Sequence, residues 1–247
     1  MSELSAKIPK PIEDIAKTEG KVIEEKLRDE KLRALLGTDY EFAKQQGLID
    51  MFKYDPNSGQ DGLMHLLTGN LTTSPDGGEI AEGFHHLASA QILQAAEIGA
   101  HDTYTEPVDT TNASSEHKKY YRRFPYEPYR TPVVISGKPK MGMTRDKTGV
   151  KRADNSMFPD EYDPLTILRT IQMARDNRDT EQDNLVERPD GWLIVNTSKV
   201  PMLDGEHELK IRLVMDDQEK IITAIPNQNP GQMKLDEEAI RTHLGLA

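Results

Sequence analysis

In the stretch ELKIRLVMD, Leu209, Ile211, Leu213 and Met215 alternate with Lys210, Arg212 and Val214. A period of two puts one set of side chains on each side of an extended strand, so this segment can hardly fold except as a strand with one face buried. WLIVNTS precedes it and KIITAIP follows, separated by the turn-forming runs LDGEH and DDQEK. Three short strands with turns between them predict an antiparallel meander. The other end of the chain repeats at spacings of three and four. Ile12, Ile15 and Ala16, then Val22, Ile23 and Leu27, then Leu32, Leu35 and Leu36 predict a helix capped by Gly37, and a second short helix follows around Tyr40 to Phe52. Helices come first and strands last, so the expected class is α+β.

Between these ends, YDPNSGQDG (residues 54–62) is turn chemistry and marks a boundary. LASAQILQAAEI (residues 87–98) reads as a helix, and Asp163-Pro164 supplies an N-cap and first position for LTILRTIQMARDN. RDNRDTEQDNLVERPDG reads as an acidic linker, and GQMKLDEEAIRTHLGLA as a weak helix or a loose tail. The expected organisation is a helical region over 1–58, a domain over 59–230 with a basic insertion at about 99–150, and a tail over 231–247. EEKLRDEKLR carries mixed charge at i, i+4 spacing, which is the pattern of a solvated helix face.

The chain has 247 residues and no cysteine, which excludes disulfides, thiolate zinc sites and cysteine nucleophiles. No apolar run reaches the ~20 residues a membrane-spanning helix needs, and MSELSAKIPKPIEDI has no apolar signal core. A soluble chain with no signal peptide and no membrane anchor is expected. The formal charge of −11 argues against a polyanionic partner, but its distribution does not. Between His117 and Arg152, eleven lysines and arginines face only Glu127 and Asp146, so this stretch carries about +9. Within it, KKYYRRFPYEPYR interleaves cations with Tyr120, Tyr121, Phe124, Tyr126 and Tyr129. Cations for phosphates and rings for base stacking are what a groove for single-stranded RNA uses.

Residues 65–86, HLLTGNLTTSPDGGEIAEGFHH, hold three of the seven histidines together with four glycines and a proline. That is not the composition expected of a core, and a polar, glycine-rich loop is predicted. Two imidazoles can cleave RNA without a metal. One takes the proton of the ribose 2′-OH, the other protonates the departing 5′-oxygen, and a cation stabilises the charge between them. An imidazole pKa near ~6.5 populates both forms at neutral pH. Glycines at 69, 77, 78 and 83 would let backbone amides approach a phosphate. The bland alternative is that these histidines are solvated or structural. No HExxH and no acid at ligand spacing marks a zinc site; Glu79 and Glu82 merely lie nearby.

The order of these motifs resembles the EndoU family of endoribonucleases, in particular its bacterial toxin domains. The elements that carry the resemblance are His65-Leu66-Leu67-Thr68-Gly69, Gly83-Phe84-His85, Phe158-Pro159 ahead of Tyr162-Asp163 and its helix, and Ile221-Ile222-Thr223-Ala224-Ile225-Pro226. Together they span roughly residues 60 to 230. The resemblance implies an RNase A-like α+β domain in which His65 and His85 form the acid and base pair, with a 2′,3′-cyclic phosphate as product. His86 is the alternate for His85. The family lysine stands three or four residues before Phe-Pro, where this chain has Asp154 and Asn155. The candidates for the third catalytic residue are therefore Lys151, then Arg152, then Lys147. Thr223, His86, Arg152, Gly83 and Tyr126 are the candidate substrate-binding residues. Ile225 replaces the tyrosine expected beside the base. No cofactor is expected, and no residue pattern indicates manganese. The resemblance also implies single-stranded RNA, such as a tRNA loop, cleaved near uridine; export by a dedicated secretion machine; action in a target cell's cytoplasm; and neutralisation by an immunity protein. The rivals are a non-cleaving RNA-binding or adaptor protein, and a metal-dependent hydrolase using His65, His85 and His86.

Overall fold

The computed structural model describes residues 10–73, 79–98, 103–105, 128–135, 138–139, 144–145, 151–188 and 191–227. Helix α1 (Lys10–Leu36) has 27 residues and turns Leu32, Leu35 and Leu36 into the core at its C-terminal end. Gly37 ends it with a φ of +52°, the left-handed conformation that glycine takes at no steric cost. Helix α2 (Tyr40–Gln45) is shorter than the segment to Phe52 that the sequence predicts, because Gly47 (φ +69°) turns the chain. Tyr40, Ala43, Leu48, Ile49, Met51 and Phe52 are all buried in the same apolar cluster as the sheet residues Leu209 to Met215. The C-terminal part of the helical region is thus built into the main core.

The turn chemistry at 54–62 closes a hairpin of β1 (Tyr54–Asp55) and β2 (Gln60–Asp61), with the Asp55 carboxylate accepting from the Asn57 N–H and the Ser58 hydroxyl. Asp61 then caps α3 (Gly62–Leu67) by accepting from the N–H groups of Leu63 and Met64. A second hairpin pairs β3 (Asn70–Thr73) with β4 (Glu79–Glu82), and α4 (Leu87–Ala95) follows. Strands β5 (Thr103–Thr105), β6 (Tyr129–Ile135), β7 (Lys138–Pro139), β8 (Thr144–Arg145) and β9 (Lys151–Met157) form an antiparallel sheet of order β5-β6-β9-β8, with β7 on β6. Most of the basic stretch, including Tyr126 and Lys147, lies outside the described residues, as does the expected tail at 231–247.

Asp163 caps α5 (Pro164–Asp176) through the N–H of Thr166 at 2.6 Å, with Pro164 at the first position, as the sequence predicts. Ile167, Leu168, Ile171 and Ala174 of α5 are buried against the meander. That meander has four strands: β10 (Asn184–Arg188), β11 (Gly191–Pro201), β12 (Glu208–Met215) and β13 (Ile221–Asn227), in that order. Leu209, Ile211, Leu213 and Met215 are all at most 1% exposed, which accounts for the strict alternation. Strand β10 falls inside the expected acidic linker. Every one of its residues is exposed, so burial imposed no pattern on its sequence. The fold is mixed helix and antiparallel sheet, α+β.

Candidate functional site

The chain returns on itself at the histidines. After α3 it runs out along β3 and back along β4, so that Gly83, Phe84 and His85 come to lie beside His65 and Leu66. The Phe84 N–H donates to the His65 carbonyl at 2.8 Å, and the His85 N–H donates to the Leu66 carbonyl at 2.7 Å. Gly83 has a φ of +71°, and a β-carbon built there would stand 2.9 Å from Cγ of His65. Only glycine permits so close an approach. Phe84 also has a positive φ, of 67°, while completely buried against Ala90 and Met157. A left-handed conformation in a bulky residue is strain that the surrounding structure must impose.

A third segment completes the junction. Ser156, in β9, accepts from Nδ1 of His85 at 2.7 Å, and the Phe158 N–H donates to the His85 carbonyl at 2.7 Å. A carbonyl can only accept, so His85 carries a proton on Nδ1, and in the neutral ring the lone pair is on Nε2. HLLTG, GFH and the residues leading into Phe-Pro therefore meet at His85, although Ser156 is 71 positions away in sequence.

The window is not the polar loop its composition suggests. Leu66, Leu67, Phe84 and His86 are at most 1% exposed, His85 is 2% exposed, and His65 is partly exposed. His86 stands at the N-cap of α4, and its Nδ1 lies 2.7 Å from the Ser89 hydroxyl. Burial pushes the His86 imidazole down to about 4, against weaker opposing pulls from the Tyr162 carbonyl and the Asp163 carboxylate. At neutral pH it is an uncharged core residue.

The remaining candidates fall into separate places. Thr223 lies on β13 opposite Val214, and its hydroxyl is enclosed with no hydrogen-bond partner among the described residues. The start of α3 lies against this strand, since a β-carbon at Gly62 would meet the Ile221 carbonyl at 2.5 Å and the Ile222 carbonyl at 2.9 Å. Lys151 and Arg152 begin β9, opposite Arg145 and Thr144. Along a strand, Lys151 is five residues or ~16 Å from Ser156. Arg130, which sequence reasoning passed over, is the register partner of Ser156 in β6.

Sequence reasoning also missed what holds α3. Arg28 donates from Nε to the Asp61 carboxylate at 2.7 Å, with both side chains about 15% exposed, and its guanidinium lies 4.2 Å over the Tyr54 ring. The signal available was Asp-Gly before an apolar run, an N-cap signature masked by reading 54–62 as turn alone. Among the described residues, no group of three or more His, Asp or Glu side chains converges as metal ligands do. No helix of the described residues is long and apolar enough to cross a membrane. No family model, curated protein or solved structure matches the chain.

Proposed function

We propose that this protein is an endoribonuclease of EndoU type that cleaves single-stranded RNA at or near uridine, by attack of the 2′-hydroxyl, leaving a 2′,3′-cyclic phosphate. The observation that carries this reading is the junction at His85, where three distant motifs meet with Gly83 packed on His65. His85, with a proton held on Nδ1 by the Ser156 carbonyl, is the general base in its neutral form, acting through Nε2. His65, partly exposed on α3, is then the general acid that protonates the 5′-oxygen. The cation that stabilises the phosphorane is drawn from the β6 and β9 ladder, which carries Arg130, Lys151 and Arg152. Thr223, on β13 next to the start of α3, is assigned to the base. Delivery of the domain into a target cell, and an immunity protein that blocks it, complete the reading by analogy to the bacterial members of the family.

The 2% exposure of His85 favours a second reading, a non-cleaving RNA-binding or adaptor protein that keeps the architecture of the site. Incubation of the purified protein with a uridine-containing oligonucleotide in EDTA separates the two. Cyclic-phosphate product that disappears in His65→Ala and in His85→Ala supports the nuclease. Bound but intact RNA selects the adaptor, and cleavage that returns only with added metal selects a hydrolase using His65, His85 and His86.

A further inference from the structure

The meander buries one face against α5 and leaves the other partly exposed. On the open face the register sets Lys199 opposite Lys210 and Asn227 opposite Lys210, Thr197 and Ile225 opposite Arg212, and Val195 and Thr223 opposite Val214. Thr197, Lys199 and Arg212 are exposed and Val195, Lys210, Val214, Thr223 and Ile225 half-buried, whereas their neighbours Leu209, Ile211 and Leu213 are at most 1% exposed. Two lysines directly across a ladder repel, and a sheet does not stabilise itself by that arrangement. Glu208 neutralises Lys199 at 3.1 Å. Lys210 and Arg212 make no ion pair among the described residues, in a chain whose formal charge is −11. The two cations therefore stand together on β12, one strand from Thr223.

We infer that this face is a track for the phosphate backbone of single-stranded RNA, held by Lys210 and Arg212 and leading across Thr223 to the His65 and His85 junction. The inference rests on the nuclease reading for the direction of the track, but not for its binding. From the Thr223 row to the Lys210 row the strand rises four residues, or ~13 Å, more than one phosphate away from a base seated at Thr223. The adjacent residues Thr197 and Ile225 offer a hydroxyl and an apolar side chain without any base-reading pattern. The track therefore binds without sequence preference. Sequence choice is left to the region of Thr223.

The test compares a dinucleotide, uridylyl-uridine, with a uridine-containing oligonucleotide of about 20 residues, long enough to cover a single-strand site. In Lys210→Glu with Arg212→Glu, KM for the oligonucleotide rises at least tenfold more than KM for the dinucleotide. Oligonucleotide affinity measured by fluorescence anisotropy falls in parallel, and the slope of log K against log salt shrinks by about 1.4, from two lost phosphate contacts. Charge reversal on α1, as Lys26→Glu with Arg33→Glu, controls for the overall field. Equal losses in the control, or an unchanged salt slope in the double variant, overturn the track. A protein that cleaves nothing yet shows the weakened anisotropy and reduced slope keeps the track and refutes the nuclease, so the two failures are told apart.

Discussion

Gly83 is packed on His65 so closely that a β-carbon at residue 83 would lie 2.7 Å from the carbonyl carbon and 2.9 Å from Cγ of that histidine. Both groups it would strike belong to a proposed catalytic residue, and the carbonyl is already held by the Phe84 N–H. Gly83→Ala should therefore displace His65 as well as strain the backbone. The left-handed φ alone costs about 1 to 2 kcal/mol for a residue with a β-carbon. Gly205→Ala is the control, having a φ of +73° and nothing within 4 Å of the added carbon. Chemical denaturation should show a loss of about 1 kcal/mol for Gly205→Ala and more than twice that for Gly83→Ala. RNA cleavage should survive only the former.

The clamp of Arg28 on Asp61 joins the N-terminal helix to the helix that carries His65. Losing the cap in Asp61→Ala should cost about 1 kcal/mol, and leaving Arg28 unpaired at about 15% exposure adds to that. Asp61→Asn keeps the capping oxygen and should lie between wild type and alanine. In Arg28→Ala, kcat should fall severalfold with KM nearly constant, because α3 shifts while the proposed RNA track on β12 is untouched. Arg28→Lys should restore only part of kcat, since an ammonium cannot both stack on Tyr54 and match the carboxylate as a guanidinium does. Equal kcat in all three proteins would show that the clamp serves stability alone.

What could be read in the sequence follows from where burial acts on one face. The alternation of Leu209 to Met215 and the Asp163-Pro164 start of α5 record local constraints, so both were visible. Strand β10 was not, because an edge strand exposed on both sides is free to look like an acidic linker. Helix α3 has six residues, fewer than two turns, and its sequence GLMHLL offers no period to detect. The motif around His65 and His85 was visible as composition, but its burial was not. That burial depends on Ser156 and Phe158 reaching His85 from more than 70 residues away, a tertiary relation to which no local pattern corresponds. The left-handed Phe84 is likewise imposed by its neighbours and invisible in a residue type that normally avoids the conformation.

The buried, neutral His86 makes stability depend on pH. Its imidazole takes up a proton near 6.5 in the unfolded chain but only at about 4 in the folded one. Above pH 6.5 neither state is protonated and the group has no effect. As pH falls from 6.5 to 4 the unfolded state gains a proton that the folded state refuses, and stability drops by up to about 3 kcal/mol at ~1.4 kcal/mol per pH unit. His86→Asn keeps a partner for the Ser89 hydroxyl without a titrating ring. Urea midpoints at pH 7.5 and 4.5 should converge in the variant relative to wild type, and identical pH profiles for the two proteins would refute the assignment.

The identity of the cation is open to a direct comparison, because the strand register orders the candidates by place. Arg130 is the cross-strand partner of Ser156, whose carbonyl holds His85, whereas Lys151 lies five residues, or ~16 Å, further along β9. A single oxyanion-stabilising group contributes about 10²- to 10³-fold to kcat. Arg130→Ala should therefore lower kcat on a uridine dinucleotide by at least 10²-fold, and Lys151→Ala by less than tenfold. The reverse order would return the role to Lys151 and require the N-terminal end of β9 to close over the histidines when RNA binds. Loss in neither variant would leave the charge to Arg152 or Lys147, which the corresponding alanine variants then test in turn.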